Sequence, residues 1–298
     1  MKNQSMPMPR RLLRWVMPLM ISLAPWLAHA QEDSSAEGLR AQYKTMAPAL
    51  ASNPFHRKLV LQSEEGSGKL SGNIYAVVDH PYADVASAFK LPATWCGVLM
   101  LHLNTKYCGV QGSGASPTLN VAVGRKFDQP VADASQVNFV YSLKAATADY
   151  LDVNLNAASG PMSTRDYRIV LEATPIDAST TFIHLGYSYG YGPAAKMAMQ
   201  VYLGTIGSDK VGFTVTGKNG KGEPDYIGGV RGVVERNTMR YYLAIDAYLD
   251  APSPQQQDQR TAAWFDATEQ YALQLHEMPK DDYVAMKRSE YRRLIARQ

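Results

Sequence analysis

In most stretches between residues 55 and 189, outside a helical interval near 81–91, the apolar residues of this chain recur at every second position, and between 229 and 249 they recur at every third or fourth. No other feature constrains the fold so strongly. Period two marks strands with one buried face, and short turns between such strands favour antiparallel neighbours. A sheet of this kind cannot bury its apolar face on loops, so a second layer must cover it. The stretch 229–249 is the obvious cover, with Val230, Val233, Asn237, Tyr241, Ala244, Ile245 and Tyr248 on one flank. The expected fold is α+β, an antiparallel sheet wrapped around a long C-terminal helix.

The segments can be placed in order. A short helix is expected at 36–51, ended by Asn53-Pro54. Strands at 55–62 and 69–78 form a hairpin across Glu65-Gly66-Ser67-Gly68. Asp79-His80-Pro81 starts a helix that passes Val85 and Phe89 and stops before Pro92, and Trp95-Cys96 closes the connection. Strands follow at 98–107, 119–125, 137–145, 149–156, 166–173 and 180–189. A helical interval at 194–203, a strand at 210–216 and a Gly-rich loop at 218–224 precede the long helix. A Pro- and Gln-rich linker at 251–259 leads to two polar helices at 260–276 and 280–297.

The first thirty residues are expected to be lost. Lys2, Arg10, Arg11 and Arg14 are followed by an apolar run at 15–27, and Ala28-His29-Ala30 fits a signal-peptidase site. The run carries Pro18 and Pro25 and is shorter than the roughly 20 residues of a spanning helix, which disfavours an uncleaved anchor. Cleavage after Ala30 implies a periplasmic or secreted protein. It also changes the charge. The whole chain has 30 basic and 27 acidic residues; without the four basic residues of the leader the balance is near −1. A near-neutral chain offers no electrostatic case for nucleic acid. Two cysteines remain, Cys96 and Cys108. In an oxidising compartment so close a pair is expected to be a disulfide, with two buried free thiols as the alternative. The expected division is 1–30 signal peptide, 31–54 helical segment, 55–250 core domain, and 251–298 linker with C-terminal helices.

With this order of elements the chain resembles the helix-grip architecture of the START-like (SRPBCC, Bet v 1-like) superfamily. The residues that carry the resemblance are Leu70-Ser71-Gly72-Asn73-Ile74-Tyr75-Ala76-Val77-Val78-Asp79-His80-Pro81, then Trp95, then the closing helix from Gly228 to Leu249. The resemblance covers residues 55–249 and lies in element order rather than in a catalytic motif. It implies a hollow between sheet and helix that holds lipids, sterols or other apolar molecules.

Several groups can line such a hollow. His102, Asn104 and Lys106 alternate on one side of the expected strand at 98–107, opposite Leu99, Leu101 and Leu103. Tyr141, Tyr167 and Tyr187 lie on later strands, and either parity of the 181–189 strand can turn His184 inward. Arg236 and Arg240 sit on the long helix, where they can meet an anionic head group. Each set also has a plain reading as a solvated face or a satisfied structural residue. Gly186-Tyr187-Ser188-Tyr189-Gly190 matches the G-x-S-x-G elbow of serine hydrolases, with Asp225 or Asp246 and His276 to complete a triad. That fold needs parallel strands and crossover helices, which this pattern lacks, so the motif reads as strand tyrosines spaced by small residues. No nucleotide loop, zinc motif or calcium loop is present, and no cofactor or metal is supported.

The expected function is non-catalytic binding of a lipid or other hydrophobic small molecule, with transfer and transient membrane contact compatible with it. An enzyme of hydrolase or cyclase type using the same hollow is the first alternative. A structural or partner-binding envelope protein, docking through its helical tail, is the second.

Overall fold

The computed structural model describes residues 35–114, 116–193, 195–197 and 210–295. Eight strands form one sheet: β1 Leu59–Gly66, β2 Lys69–Val78, β3 Thr105–Gln111, β4 Thr118–Val123, β5 Ser135–Ala146, β6 Leu151–Ser159, β7 Thr164–Pro175 and β8 Thr181–Tyr191. Their spatial order is β1-β2-β8-β7-β6-β5-β4-β3. Every neighbouring pair is antiparallel. The β1–β2 hairpin leaves through α2 (Tyr82–Phe89) and α3 (Pro92–Leu99), and a meander returns β8 to pair with β2. This is the expected antiparallel sheet with its long helix, α4 (Gly229–Asp250).

Both faces of the sheet are covered. On one face Leu70, Ile74, Leu155, Ile169, Leu185 and Tyr187 join a core with Val234, Met239 and Leu243 of α4. At Gly72 the helix lies on the strand itself. A Cβ there would meet the Thr238 hydroxyl oxygen at 2.2 Å, so only glycine permits the approach. Glu235 fixes the helix ends of this layer. Its carboxylate, fully buried, accepts from the Ser63 hydroxyl at 2.5 Å and from the Phe213 and Thr214 N–H groups at 2.6 and 2.9 Å. On the opposite face α1 (Ala36–Ala51) lays Leu39, Met46 and Leu50 on Tyr75, Tyr150 and Phe182.

The C-terminal helices α5 (Gln257–Glu269), α6 (Ala272–Leu275) and α7 (Lys280–Ile295) pack back onto the core. Trp264 donates from Nε1 to the Arg240 carbonyl at 3.0 Å. The Lys106, Lys287 and Glu290 side chains are fully buried, with both ammonium groups 2.8 Å from the carboxylate. They also bond the turn between α3 and β3. Lys106 reaches the Leu103 carbonyl at 2.9 Å, Lys287 reaches His102 and Thr105 at 2.7 and 3.0 Å, and Tyr283 reaches Leu101 at 2.8 Å. Burial and the neighbouring Lys106 draw the Lys287 ammonium down to about 8 against the pull of Glu290.

Three readings need correction. Residues 98–107 are not one strand. α3 runs to Leu99, a turn follows, and β3 begins at Thr105, so His102, Asn104 and Lys106 do not share a strand face. α3 is apolar on all sides because it is buried all round, with Trp95, Val98 and Leu99 each nearly inaccessible. The first strand begins at Leu59, not at Phe55. The late strand at 210–216 is instead a small separate hairpin, β9 (Val215–Lys218) with β10 (Pro224–Tyr226). Most of the helical interval at 194–203, and the whole of the expected leader, lie outside the described residues. Ser188 lies within extended β8, paired in register with Ser71 and Arg168, so it is not at a strand-to-helix turn.

Candidate functional site

The face under α4 gathers aromatic rings at one end. Tyr167 of β7 stacks on Tyr189 of β8 with centroids 5.3 Å apart, and Phe139 of β5 meets Tyr167 edge-on at 6.3 Å. Tyr187 meets Tyr241 of α4 at 5.2 Å, and Tyr241 lies 5.2 Å from the His102 ring. The alternation of β8 puts Tyr187 and Tyr189 on one face, and Gly160 makes room for the Tyr167 ring. Tyr167, Asn237 and Tyr241 are partly exposed although they stand between sheet and helix, so solvent reaches a recess there.

Polar groups face this recess with few partners. Asn237, four residues before Tyr241 on α4, is within hydrogen-bonding reach of the Tyr187 hydroxyl. Tyr167 shares a 2.7 Å bond with the Thr164 hydroxyl. The hydroxyls of Tyr189 and Tyr241 make no hydrogen bond among the described residues; burial in apolar surroundings pushes both phenols above their ordinary range. His102 is buried, and burial with Arg240 and Lys287 nearby holds its imidazole far below its usual value. It is therefore neutral. Nδ1 accepts from the Asn104 N–H at 3.2 Å, which leaves the proton on Nε2. Nε2 is buried without a hydrogen bond of good geometry, although the Asn237 amide lies close enough to act on it.

One end of the recess is cationic. Arg236 and Arg240 project from the same flank of α4 as Asn237 and Tyr241, and Arg236 donates to the Val211 carbonyl at 3.0 Å. Arg240 and Lys126 each reach a Glu277 oxygen at 2.7 Å, and Lys210 lies 3.7 Å from the other. Burial alone would raise the Glu277 carboxyl, but Arg240 and Lys126 outweigh it and hold it below the usual carboxylate range.

The sequence candidates therefore separate. His102, Tyr167, Tyr187, Arg236 and Arg240 border the recess. Asn104 serves it indirectly, fixing the His102 ring through its N–H while its amide bonds the Gly124 carbonyl at 2.6 Å. Tyr141 is on the same face of the sheet but spends its hydroxyl on the Lys90 carbonyl at 2.7 Å, and burial pushes it up to about 12. His184 is on the other face, beneath α1. Its ring stacks on Tyr75 at 4.5 Å, Nδ1 lies 2.7 Å from Glu172 and Nε2 lies 3.0 Å from the Asn73 amide oxygen. Tyr189, Asn237 and Tyr241 were not singled out from sequence as recess groups. The signal was present in the four-residue spacings Arg236 to Arg240 and Asn237 to Tyr241, which put all four on adjoining rows of one helix. Cys96 and Cys108 form a disulfide joining α3 to β3. Among the described residues no group of three His, Cys, Asp or Glu is placed to hold a metal, and no helix is long and apolar enough to cross a membrane.

A separate cleft of about 990 Å³ opens between α1, the end of β2 and the last turns of α4. Its walls mix apolar residues such as Leu50, Val77 and Val78 with polar groups that carry their own ion pairs, Arg57 with Asp246 at 2.6 Å and His80 with Asp250 at 3.2 Å.

No protein-family model matches the sequence, and no curated protein matches it. Solved structures give distant likenesses. A conserved protein from Geobacillus kaustophilus is 13% identical over 60% of this chain and 95% of its own, with a TM-score of 0.35. The aromatase/cyclase ZhuI from Streptomyces sp. R1128 is 11% identical over 68% of this chain and 96% of its own, with a TM-score of 0.34. Norcoclaurine synthase from Thalictrum flavum is 12% identical over 50% of this chain and 90% of its own, with a TM-score of 0.33. Likenesses this weak carry no argument about chemistry, which rests on the chain's own residues.

Proposed function

We propose that the protein binds a hydrophobic small molecule, a lipid or an aromatic compound, in the recess between sheet and α4. Its rings supply the apolar walls, and Tyr189, Tyr241 and His102 supply hydrogen-bond donors to the polar end of the guest. One observation carries the reading. The Nε2–H of His102, buried against the Tyr241 ring, has no protein partner of good geometry, and such a group costs about 1–3 kcal/mol unless something satisfies it. A guest with an oxygen acceptor does so, which is how sites of this kind fix orientation in an apolar pocket. Localisation in the periplasm or outside the cell is part of the proposal, supported by the leader pattern at 1–30 and the disulfide.

Native mass spectrometry and solvent extraction of the purified protein test the binding. The expected result is a co-purifying apolar molecule, or uptake of one at one-to-one stoichiometry. A folded sample that neither carries nor takes up any such molecule would overturn it. N-terminal sequencing of the exported protein checks the compartment, with Gln31 as the expected first residue.

A further inference from the structure

The cations at the end of the recess come from separate parts of the chain: Lys126 follows β4, Lys210 precedes β9, and Arg236 and Arg240 lie on α4. Three of the four meet at the single carboxylate of Glu277, and Arg236 is near enough to depress Lys126. Glu277 does not belong to a helix. It sits in the short connector between α6 and α7, with its side chain only 8% exposed. Both helices that flank it are anchored elsewhere, α7 by the buried Lys106–Glu290–Lys287 group. The connector is held by its own bonds, Lys210 to the His276 carbonyl at 2.6 Å and the His276 ring to Glu269 at 2.9 Å, so a turn of the Glu277 side chain alone leaves the helices in place. A planar guanidinium and two ammonium groups around one carboxylate are the chemistry that recognises a carboxylate or a phosphate. They are next to phenols and a ring N–H that also await acceptors.

We propose that the guest is an apolar molecule with a terminal anionic group, a carboxylate or phosphate monoester, and that the Glu277 carboxylate holds the place of that group until the guest arrives. This rests on the binding reading above. Entry of the guest then exchanges one carboxylate for another anion at the same cations, and the Glu277 side chain turns out to solvent. The exchange keeps an anion against the buried Arg240 in both states, which makes that charge tolerable when the recess is empty.

Two dyes of one skeleton separate the two claims. 1-Anilinonaphthalene-8-sulfonate is anionic, and N-phenyl-1-naphthylamine is its uncharged counterpart. With the full mature chain, Glu277→Gln is expected to tighten binding of the sulfonate about tenfold and to leave the amine within twofold. Lys126→Met is expected to weaken the sulfonate about tenfold, again without moving the amine. Arg240→Gln should do the same, but its residue is buried, so Lys126, about a third exposed, provides the variant that keeps the fold. Competition by dodecanoate, dodecyl phosphate and dodecanol assigns the head group: displacement by either anion and not by the alcohol supports the proposal and says which anion is preferred. If both dyes bind and the variants shift them equally, or dodecanol competes as well as the anions, the anionic subsite is overturned and the binding reading stands. If neither dye binds the folded protein, the binding reading itself falls.

Discussion

Both faces of the sheet carry polar and aromatic side chains but treat them differently. Beneath α1, Glu172 accepts from Tyr150 at 2.5 Å and pairs with His184 at 2.7 Å, His184 meets Asn73, and Asn154 bonds Asp152 at 2.6 Å. The partners of Glu172 and His184 come from neighbouring strands, since Asp152, Glu172, His184 and Tyr75 lie in one register row. Beneath α4 the hydroxyls of Tyr189 and Tyr241 and the Nε2–H of His102 lack that supply. Satisfied polar groups serve stability, whereas unsatisfied ones cost stability and are retained where another molecule completes them. Polarity alone therefore does not mark a site; incompleteness does.

The comparison makes graded predictions. Glu172→Ala should cost the most, about 3–4 kcal/mol of unfolding free energy in urea, because it leaves His184 and Tyr150 unpartnered under α1. Binding of an apolar probe to the folded variant should be unchanged; a loss of binding would mean the two faces are coupled. Asp152→Asn should act in the opposite direction. Burial and the facing Glu172 push the Asp152 carboxyl up to about 6, so its ionised form is disfavoured in the fold. With the folded value above the unfolded one, native stability falls as pH rises through that interval, and the neutral amide recovers about 2 kcal/mol at pH 7. The gain should vanish near pH 3.5, where both states are protonated, and a gain independent of pH would refute the charge explanation.

Tyr141→Phe is the control on the recess face. It removes a hydroxyl that has a partner in the Lys90 carbonyl, and should cost about 1 kcal/mol with no effect on binding. Tyr189→Phe and Tyr241→Phe should change stability least, within about 0.5 kcal/mol, since neither hydroxyl has a bond to lose. Each should nonetheless weaken binding of a guest with an oxygen acceptor, by roughly tenfold for one lost hydrogen bond. Equal affinity in all three phenylalanine variants would show that the free hydroxyls are not recess donors.

The broad fold was legible because its signals are local and periodic. The hairpin at Gly66 to Gly68, the Pro81 helix start, the meander and the long helix each follow from a change of period or a turn residue. What failed shares one cause, burial on more than one side. α3 shows no amphipathic period because Trp95, Cys96, Val98 and Leu99 are all enclosed, and its apolar run continues through Met100 and Leu101. The facing of His184 was ambiguous because β8 is covered on both faces, with Phe182 under α1 and Ile183 under α4. The recess was half legible. Arg236, Arg240, Tyr167, Tyr187 and His102 could be picked by type, but the missing partners of Tyr189 and Tyr241 are a property of three-dimensional surroundings that no spacing encodes.

The turn that presents His102 is gripped twice. The carbonyls of Leu101, His102, Leu103 and Thr105 are held by side chains of β3 and the last helix, and the Cys96–Cys108 bond ties the segment's two flanks together. One grip is chemical and reversible by electrons, while the other is not. A reductant would thus slacken the aim of a single imidazole while the other grip holds, so under the proposed binding reading reduction should weaken uptake of a guest before it unfolds the chain.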